Sequence, residues 1–270
     1  MSKQMAKLQV LLSILKMDDV NYIDSLKITG DAVIVNQCDT DKKEDIIRRS
    51  VNGSVQAVKY LQTKERGLSR SRNMAIDAAD AEVCIICDND VVYEDGYEEM
   101  ILNEFEKRPD ADIIVFYIKR KEKPQPNYPT ERRMDYLSVL KIFSPEIAFR
   151  RENIKDLRFN VDFGAGSGKY IQGEENIFLY DALKKKKKIY YVPIKIAELK
   201  EVESTWFTGF DESFFITRGA NYAAMTRLGS HVLIWQYALR KTHLYKENMS
   251  MLDTLKAMYR GRREYLKSLR

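Results

Sequence analysis

The sequence predicts an α/β protein: a mixed, mostly parallel sheet flanked by helices, with a helical C-terminal extension. Three observations carry that expectation. Short apolar runs alternate with amphipathic stretches through the first two thirds of the 270 residues, the pattern of strands joined by helices. The composition, 44% hydrophobic and 31% charged with 12 Gly and 6 Pro, suits a chain that buries a core rather than a disordered or low-complexity one. The charge is uneven. Residues 231–270 carry nine Lys or Arg against three Asp or Glu, a net of +6, which leaves the other 230 residues at −1 of the total +5.

Taken in order, Leu8–Leu15, Asp31–Val35 and Val55–Leu61 are apolar enough for strands. Arg70–Ala79 reads as a helix and Glu82–Cys87 as the next strand. Tyr97–Lys107 places Tyr97, Met100, Ile101 and Phe105 on one helical face. Asp112–Ile118 is a near-continuous buried strand, and the three prolines between Lys119 and Thr130 mark a long surface loop. A strand near Glu146–Arg150, a glycine-rich loop at Gly164–Gly168, a helix from Glu174 and a strand at Ile189–Ile196 complete the sheet region. The run Lys184–Lys188 closes a helix, where cations meet the C-terminal dipole favourably.

Several classes are excluded at this level. No apolar run approaches the roughly 20 residues of a membrane-spanning helix, and the run ending at Leu15 lacks a small-residue cleavage site and leads into Asp18 and Asp19, so no secretory signal is expected. The sequence reads as that of a soluble, cytoplasmic protein. Three cysteines do not make a disulfide framework, and Cys84 and Cys87, three apart on a strand, face opposite sides. A charge of +5 is too mild for a nucleic-acid binder. Within 231–270, Trp235, Leu239, Leu252, Leu255, Met258, Tyr259 and Leu266 recur near helical spacing. That pattern fits a basic amphipathic helix on an anionic membrane surface, or a helix packed on the body with a solvated charged face.

Four segments have the residue types that chemistry needs. Asp88-Asn89-Asp90 ends a strand, and two carboxylates there suit Mg²⁺ or Mn²⁺ shared with phosphate oxygens. Upstream, residues 65–75 combine Gly67, Ser69 and the arginines Arg66, Arg70 and Arg72 at a helix start, where phosphate is attracted. Gly164, Gly166 and Gly168 permit close backbone approach to a ligand. Glu174 and Glu175 open a helix, where one of them can serve as a general base and where both also favour the dipole. The stretch Trp206, Phe207, Phe210, Phe214 and Phe215 suits either a sugar-lining surface or a core.

In this order, Asp31–Val35, Gly67–Asn73, Asp88–Asp90 and Gly173–Asn176 resemble family 2 glycosyltransferases of the GT-A fold, of the bacterial surface-polysaccharide type. The resemblance implies a Rossmann-like GT-A domain over residues 1–215, followed by a basic, amphipathic helical extension over 216–270. It implies inverting, metal-dependent transfer from a nucleotide-sugar, a UDP-sugar first among them, to a saccharide or lipid-linked acceptor in polysaccharide or capsule biosynthesis. Residue by residue, it implies that Asp88 and Asn89 meet the donor nucleoside, that Asp90 ligates Mn²⁺ or Mg²⁺, and that Arg72 lies near the nucleotide. Glu175 takes the position of the base with Glu174 beside it, and Gly166 falls on the acceptor side. Asn36 and Gln37 stand where the family commonly has a pair of aspartates that help to read uracil. A lipid-linked acceptor would place the protein peripherally at the inner face of the cell membrane, held by residues 231–270. Two rivals remain: a catalytically degenerate GT-A-like binding module and a sugar-phosphate nucleotidyltransferase. The second normally has a glycine- and basic-rich loop after its first strand, where this chain has Asp18 and Asp19.

Overall fold

A computed structural model describes residues 6–17, 19–200 and 209–269. Asp18, Trp206 and Phe207 therefore lie outside the described residues. The chain forms two compact units: the described residues of Met1–Arg66, Arg70–Arg158 and Ala182–Val202, and those of Gly67–Ser69, Phe159–Asp181 and Glu203–Arg270.

The first unit is built on a sheet that, among the described residues, has ten strands: β1 (Leu8–Leu15), β2 (Asp31–Gln37), β3 (Lys42–Arg49), β4 (Val55–Thr63), β5 (Val83–Asp88), β6 (Val91–Tyr93), β7 (Ile113–Lys119), β8 (Arg132–Arg133), β9 (Ile147–Arg150) and β10 (Ile189–Leu199). The order is β3-β4-β2-β1-β5-β9-β7-β10-β6, with β8 on β10. The run β4-β2-β1-β5 is parallel, as is β7 with β10, while β3, β6, β8 and β9 run antiparallel to their neighbours. β1, β2, β5 and β7 are buried on both faces, which is why they read as continuous apolar runs rather than alternations. The helix α1 (Leu68–Ala78) follows β4, and α2 (Tyr97–Lys107) follows β6. α2 places Tyr97, Ile101 and Phe105 in one core with Leu12, Ile34, Ile85 and Phe116.

β3 was not expected from the sequence. Its residues, KKEDIIRR, are nowhere buried, and charge along an exposed edge strand guards it against pairing with another chain. Cys84 and Cys87 lie buried in β5 as free thiols, and burial holds both well above the usual thiol range, Cys84 at about 12. Lys185 and Lys188, in the basic run, pair with Asp156 and Asp110.

The second unit contains the start of α3 (Glu174–Lys184), then α4 (Glu212–Met225), α5 (Ser230–Arg240), the short α6 (Thr242–Tyr245) and α7 (Met251–Ser268). α4 and α7 cross at glycines. A Cβ on Gly219 would lie 1.8 Å from the carbonyl oxygen of Met258, and one on Gly261 would lie 1.8 Å from that of Ile216. Leu255, Met258 and Tyr265 of α7 are buried, so this helix is packed within the helical unit along its apolar side. Aromatic rings fill the rest: Phe159 stacks on Phe178 at 4.4 Å and Phe163 on Tyr170 at 4.7 Å. Phe214 and Phe215 are buried too, their ring centroids 5.2 Å apart. A boundary at 215/216 falls inside α4, which begins at Glu212 under an Asp211 cap, and the helical unit also takes in Phe159–Asp181.

Candidate active site

Because β4, β2, β1 and β5 are parallel, their carboxyl ends, Thr63, Gln37, Leu15 and Asp88, lie along one edge of the sheet. That is the edge where open α/β sheets bind ligands. At the β2 exit Asn36 is buried and clamps the chain leaving β1. Its Oδ1 accepts from Met17 N (2.9 Å), and its Nδ2 donates to Met17 O (2.8 Å) and to the Tyr60 hydroxyl (2.8 Å). Both amide hydrogens of Asn36 are thus engaged within the protein. Gln37 beside it is also buried, and its carbonyl accepts from Lys16 N at 3.1 Å. Arg66 ties the exits of β2 and β4 together, donating to the carbonyls of Cys38 (2.8 Å) and Thr63 (3.2 Å).

At the end of β5, Arg72 of α1 is almost wholly buried, and its Nη2 donates to both carboxylate oxygens of Asp88, at 2.8 and 3.1 Å. A charge-assisted contact of this kind fixes the orientation of Asp88 and keeps the buried guanidinium matched. Asn89 is exposed at the turn, its carbonyl accepting from the Tyr22 hydroxyl at 2.8 Å. Asp90 differs from Asp88. Its Oδ1 is buried and has no hydrogen-bond partner among the described residues. Burial first, and the negative charge of Asp88 second, push its carboxyl up to about 6. Lys200 opposes that shift; its backbone N–H donates to Asp90 O at 2.8 Å and its Nζ to Ser25 Oγ at 3.1 Å.

Tyr22, Ser25 and Lys200 were not singled out from the sequence. No local motif marks them, and Lys200 meets the Asp90 turn across the chain through β10. Ser13 was also missed. It pairs in register with Asp88, and its buried hydroxyl has no hydrogen-bond partner among the described residues. A hydroxyl in the middle of the apolar run of β1 was the available signal.

The second unit holds the other expected residues. Gly67 (φ 119°) and Gly166 (φ 71°) meet backbone to backbone: a Cβ on Gly67 would lie 3.3 Å from Gly166 O. Leu68 N donates to Ala165 O at 2.8 Å, and Ser69 Oγ to Phe163 O at 2.7 Å. The glycine loop therefore packs tightly on the start of α1, and Gly166 has a structural reason to be glycine. Glu174, the first residue of α3, is buried next to Gly164 and Ser69, while Glu175 is half-buried. Gly173 (φ 93°) precedes them, its carbonyl held by Asn221 Nδ2 of α4 at 2.7 Å. Asn221 has no motif around it and was not anticipated.

Among the described residues no group of three or more His, Cys, Asp or Glu side chains gathers to hold a metal ion. His231 faces the Tyr259 hydroxyl at 3.2 Å. Among the described residues no helix is long and apolar enough to cross a membrane.

A family model described as "Glycosyl transferase family 2" matches residues 30–172. A search of curated proteins finds no matching relative. Among solved structures, S. aureus TarS residues 1–349 in complex with UDP-GlcNAc superposes with a TM-score of 0.66 at 13% identity, covering 98% of this chain and 82% of that one. A mannosyltransferase from Pyrobaculum calidifontis, in complex with GDP-Man and Mn²⁺, superposes with a TM-score of 0.54 at 13% identity, covering 98% and 88%. At such identities the likeness establishes the fold.

Proposed function

The chain belongs to glycosyl transferase family 2, and from that premise we propose that it moves a sugar from a nucleotide-sugar donor to a saccharide or lipid-linked acceptor, with inversion and with a divalent cation. The observation that carries this reading is the pair at the end of β5: Asp88 clamped by a buried Arg72, and Asp90 with an unmatched buried oxygen. Asp88, held rigid, is suited to accept from a donor ribose hydroxyl. Gln37 and Asn89 lie at the same edge for the nucleoside. Asn36 contributes by fixing the β1 exit.

The residues present fit Mn²⁺ or Mg²⁺. An unmatched carboxylate oxygen, raised in affinity for protons by burial, is equally a ligand for a cation. Asp90 would hold the ion, and when bound it would neutralise charge on the departing diphosphate. Glu175, the more open of the two glutamates, accepts the proton of the acceptor hydroxyl. As that proton leaves, the acceptor oxygen forms its bond to the anomeric carbon and the bond from that carbon to the diphosphate breaks on the opposite face. Glu174, buried against Gly164, orients the start of α3, and Gly166 shapes the loop on the acceptor side.

The structural neighbours solved with UDP-GlcNAc and with GDP-Man and Mn²⁺ support the donor class and make UDP-sugars the first to test. A role in surface-polysaccharide or capsule assembly, with the protein cytoplasmic and peripheral at the membrane, follows from a lipid-linked acceptor. The test is a thermal-shift panel of UDP, dTDP, GDP and CMP with and without Mn²⁺; a ligand at 100 times its dissociation constant stabilises by about 2.7 kcal/mol. One nucleotide should stabilise the protein in a metal-dependent way that Asp90→Ala abolishes. No shift with any of them would replace the transferase by a catalytically degenerate binding module.

A further inference from the structure

Helix α5 is apolar on two faces. The inner face, Leu233, Ile234 and Ala238, is buried in the helical unit. The outer one runs from Leu228 in the preceding turn through Val232, Trp235 and Leu239, which are 82, 69, 46 and 58% exposed. Their spacing of four, three and four residues puts them in one stripe. Scattered exposed apolar side chains need no explanation, but a continuous stripe along a helix does.

The surroundings of the stripe are cationic. Arg227 stands at its start, and Arg240 and Lys241 at its end, all exposed. Arg227 also lines a cavity of about 420 Å³ with Arg262, Arg263 and Lys267, edged by Leu266 and Leu269. Arg262 is set in place there: its Nε donates to Ser230 Oγ at 2.9 Å and its Nη2 to the Arg227 carbonyl at 3.0 Å. Among the described residues Arg227, Arg263 and Lys267 have no ion-pair partner, whereas Lys256 and Arg260 neutralise Asp253, Glu212 and Glu264 of the same unit.

We infer that the outer face of α5 seats on an anionic membrane surface, with the Arg227–Arg262–Arg263–Lys267 cavity taking a lipid phosphate. Apolar side chains with a tryptophan among them, flanked by Arg and Lys, are what an interfacial helix presents to the headgroup boundary. Guanidinium groups match phosphate oxygens in pairs. A second copy of this chain would bring the same positive charge to the stripe and is disfavoured. The contact surface is thus α5 and the far half of α7, not the whole region from residue 231, because the apolar side of α7 is already covered. The inference takes up the peripheral placement proposed above, yet it stands separately from the transfer chemistry.

The test is co-sedimentation of the full chain with vesicles of phosphatidylglycerol and phosphatidylcholine, against phosphatidylcholine alone. The protein should pellet with the anionic vesicles only, and less so as salt rises. Each Lys or Arg near such a surface is worth roughly fivefold in partitioning, so Arg263→Gln with Lys267→Gln should weaken binding by about 25-fold. Trp235→Ser with Leu239→Ser should weaken it by at least about tenfold through lost apolar burial. All four side chains are at least partly exposed, and unchanged thermal unfolding will show that the variants fold. Wild-type protein that stays in the supernatant, or that light scattering finds as a dimer whose stripe is hidden, overturns the inference. Nucleotide-dependent stabilisation, read on the same proteins, is expected to be untouched by either pair, so failure here leaves the transferase reading standing.

Discussion

The two units hold their candidate site residues by different means. At the carboxyl edge of the sheet the arrangement is made of side chains under electrostatic tension: a buried guanidinium on Asp88, and a second carboxylate with an unmatched oxygen two residues on. In the helical unit it is made of backbone, with Gly67 against Gly166, Gly173 under Asn221 and Gly219 under Met258. The difference teaches where chemistry and scaffold separate. Removing the Asp90 charge from the sheet edge should cost function and no stability, whereas adding one methyl group in the helical unit should cost stability without touching a reacting atom.

The largest expected effect is at the one helical-unit residue that should behave like the sheet edge. Glu175→Gln should lower transfer by about 10²–10⁴-fold, the usual contribution of a general base, and leave metal-dependent nucleotide stabilisation as in the wild type. Transfer at a near wild-type rate would remove Glu175 from the mechanism, and lost nucleotide binding would make its role structural.

Next comes the scaffold. Gly219→Ala puts a Cβ where 1.8 Å separates it from a backbone oxygen, so α4 and α7 must move apart. Overpacking of this kind costs about 1–3 kcal/mol or more, read as a lower urea midpoint. An unchanged midpoint would mean that the helix pair is not held by its glycines.

Asp90 sharpens the comparison from the opposite side. Its carboxyl is raised to about 6 in the folded protein from an ordinary value of 3.8. Between those values the native state binds more protons than the unfolded chain, so stability without metal falls as pH rises from about 4 to about 6. Asp90→Asn removes the charge that burial penalises and should stabilise the metal-free protein at pH 7 by on the order of 1–3 kcal/mol, while metal-dependent nucleotide binding disappears. In the wild type that binding should grow as pH rises through about 6. A variant less stable than wild type at pH 7 would mean that the Asp90 charge is well matched without a cation.

The sheet edge was the more legible half. β5 is a continuous apolar run that stops at Asp88, so both its position and the placement of Asp88–Asp90 at its carboxyl end followed from local pattern. β3 was invisible because an edge strand needs no apolar run, and its charges read as a loop. Tyr22, Ser25 and Lys200 reach the Asp90 turn from distant parts of the chain, and spacing in sequence does not encode that. In the helical unit, the period of Leu255 and Met258 was readable, but not that α4 covers it, since the close approach depends on Gly219 and Gly261, two residues that ordinarily argue against a helix interior.

The last effect concerns position 36, where the family resemblance and the geometry pull apart. The resemblance places an aspartate there to read a base. In this protein the residue must donate to Met17 O and accept from Met17 N at once, which an amide can do and a carboxylate cannot. Asn36→Asp therefore loses the donor to Met17 O and sets two acceptors face to face, while the Tyr60 hydroxyl can turn to donate. The expected cost is about 1–3 kcal/mol of stability, the penalty of an unmatched buried acceptor, and affinity for UDP should not rise. Tighter UDP binding by this variant would show that position 36 touches the base after all, and that the clamp on Met17 is a consequence of the substitution rather than its reason.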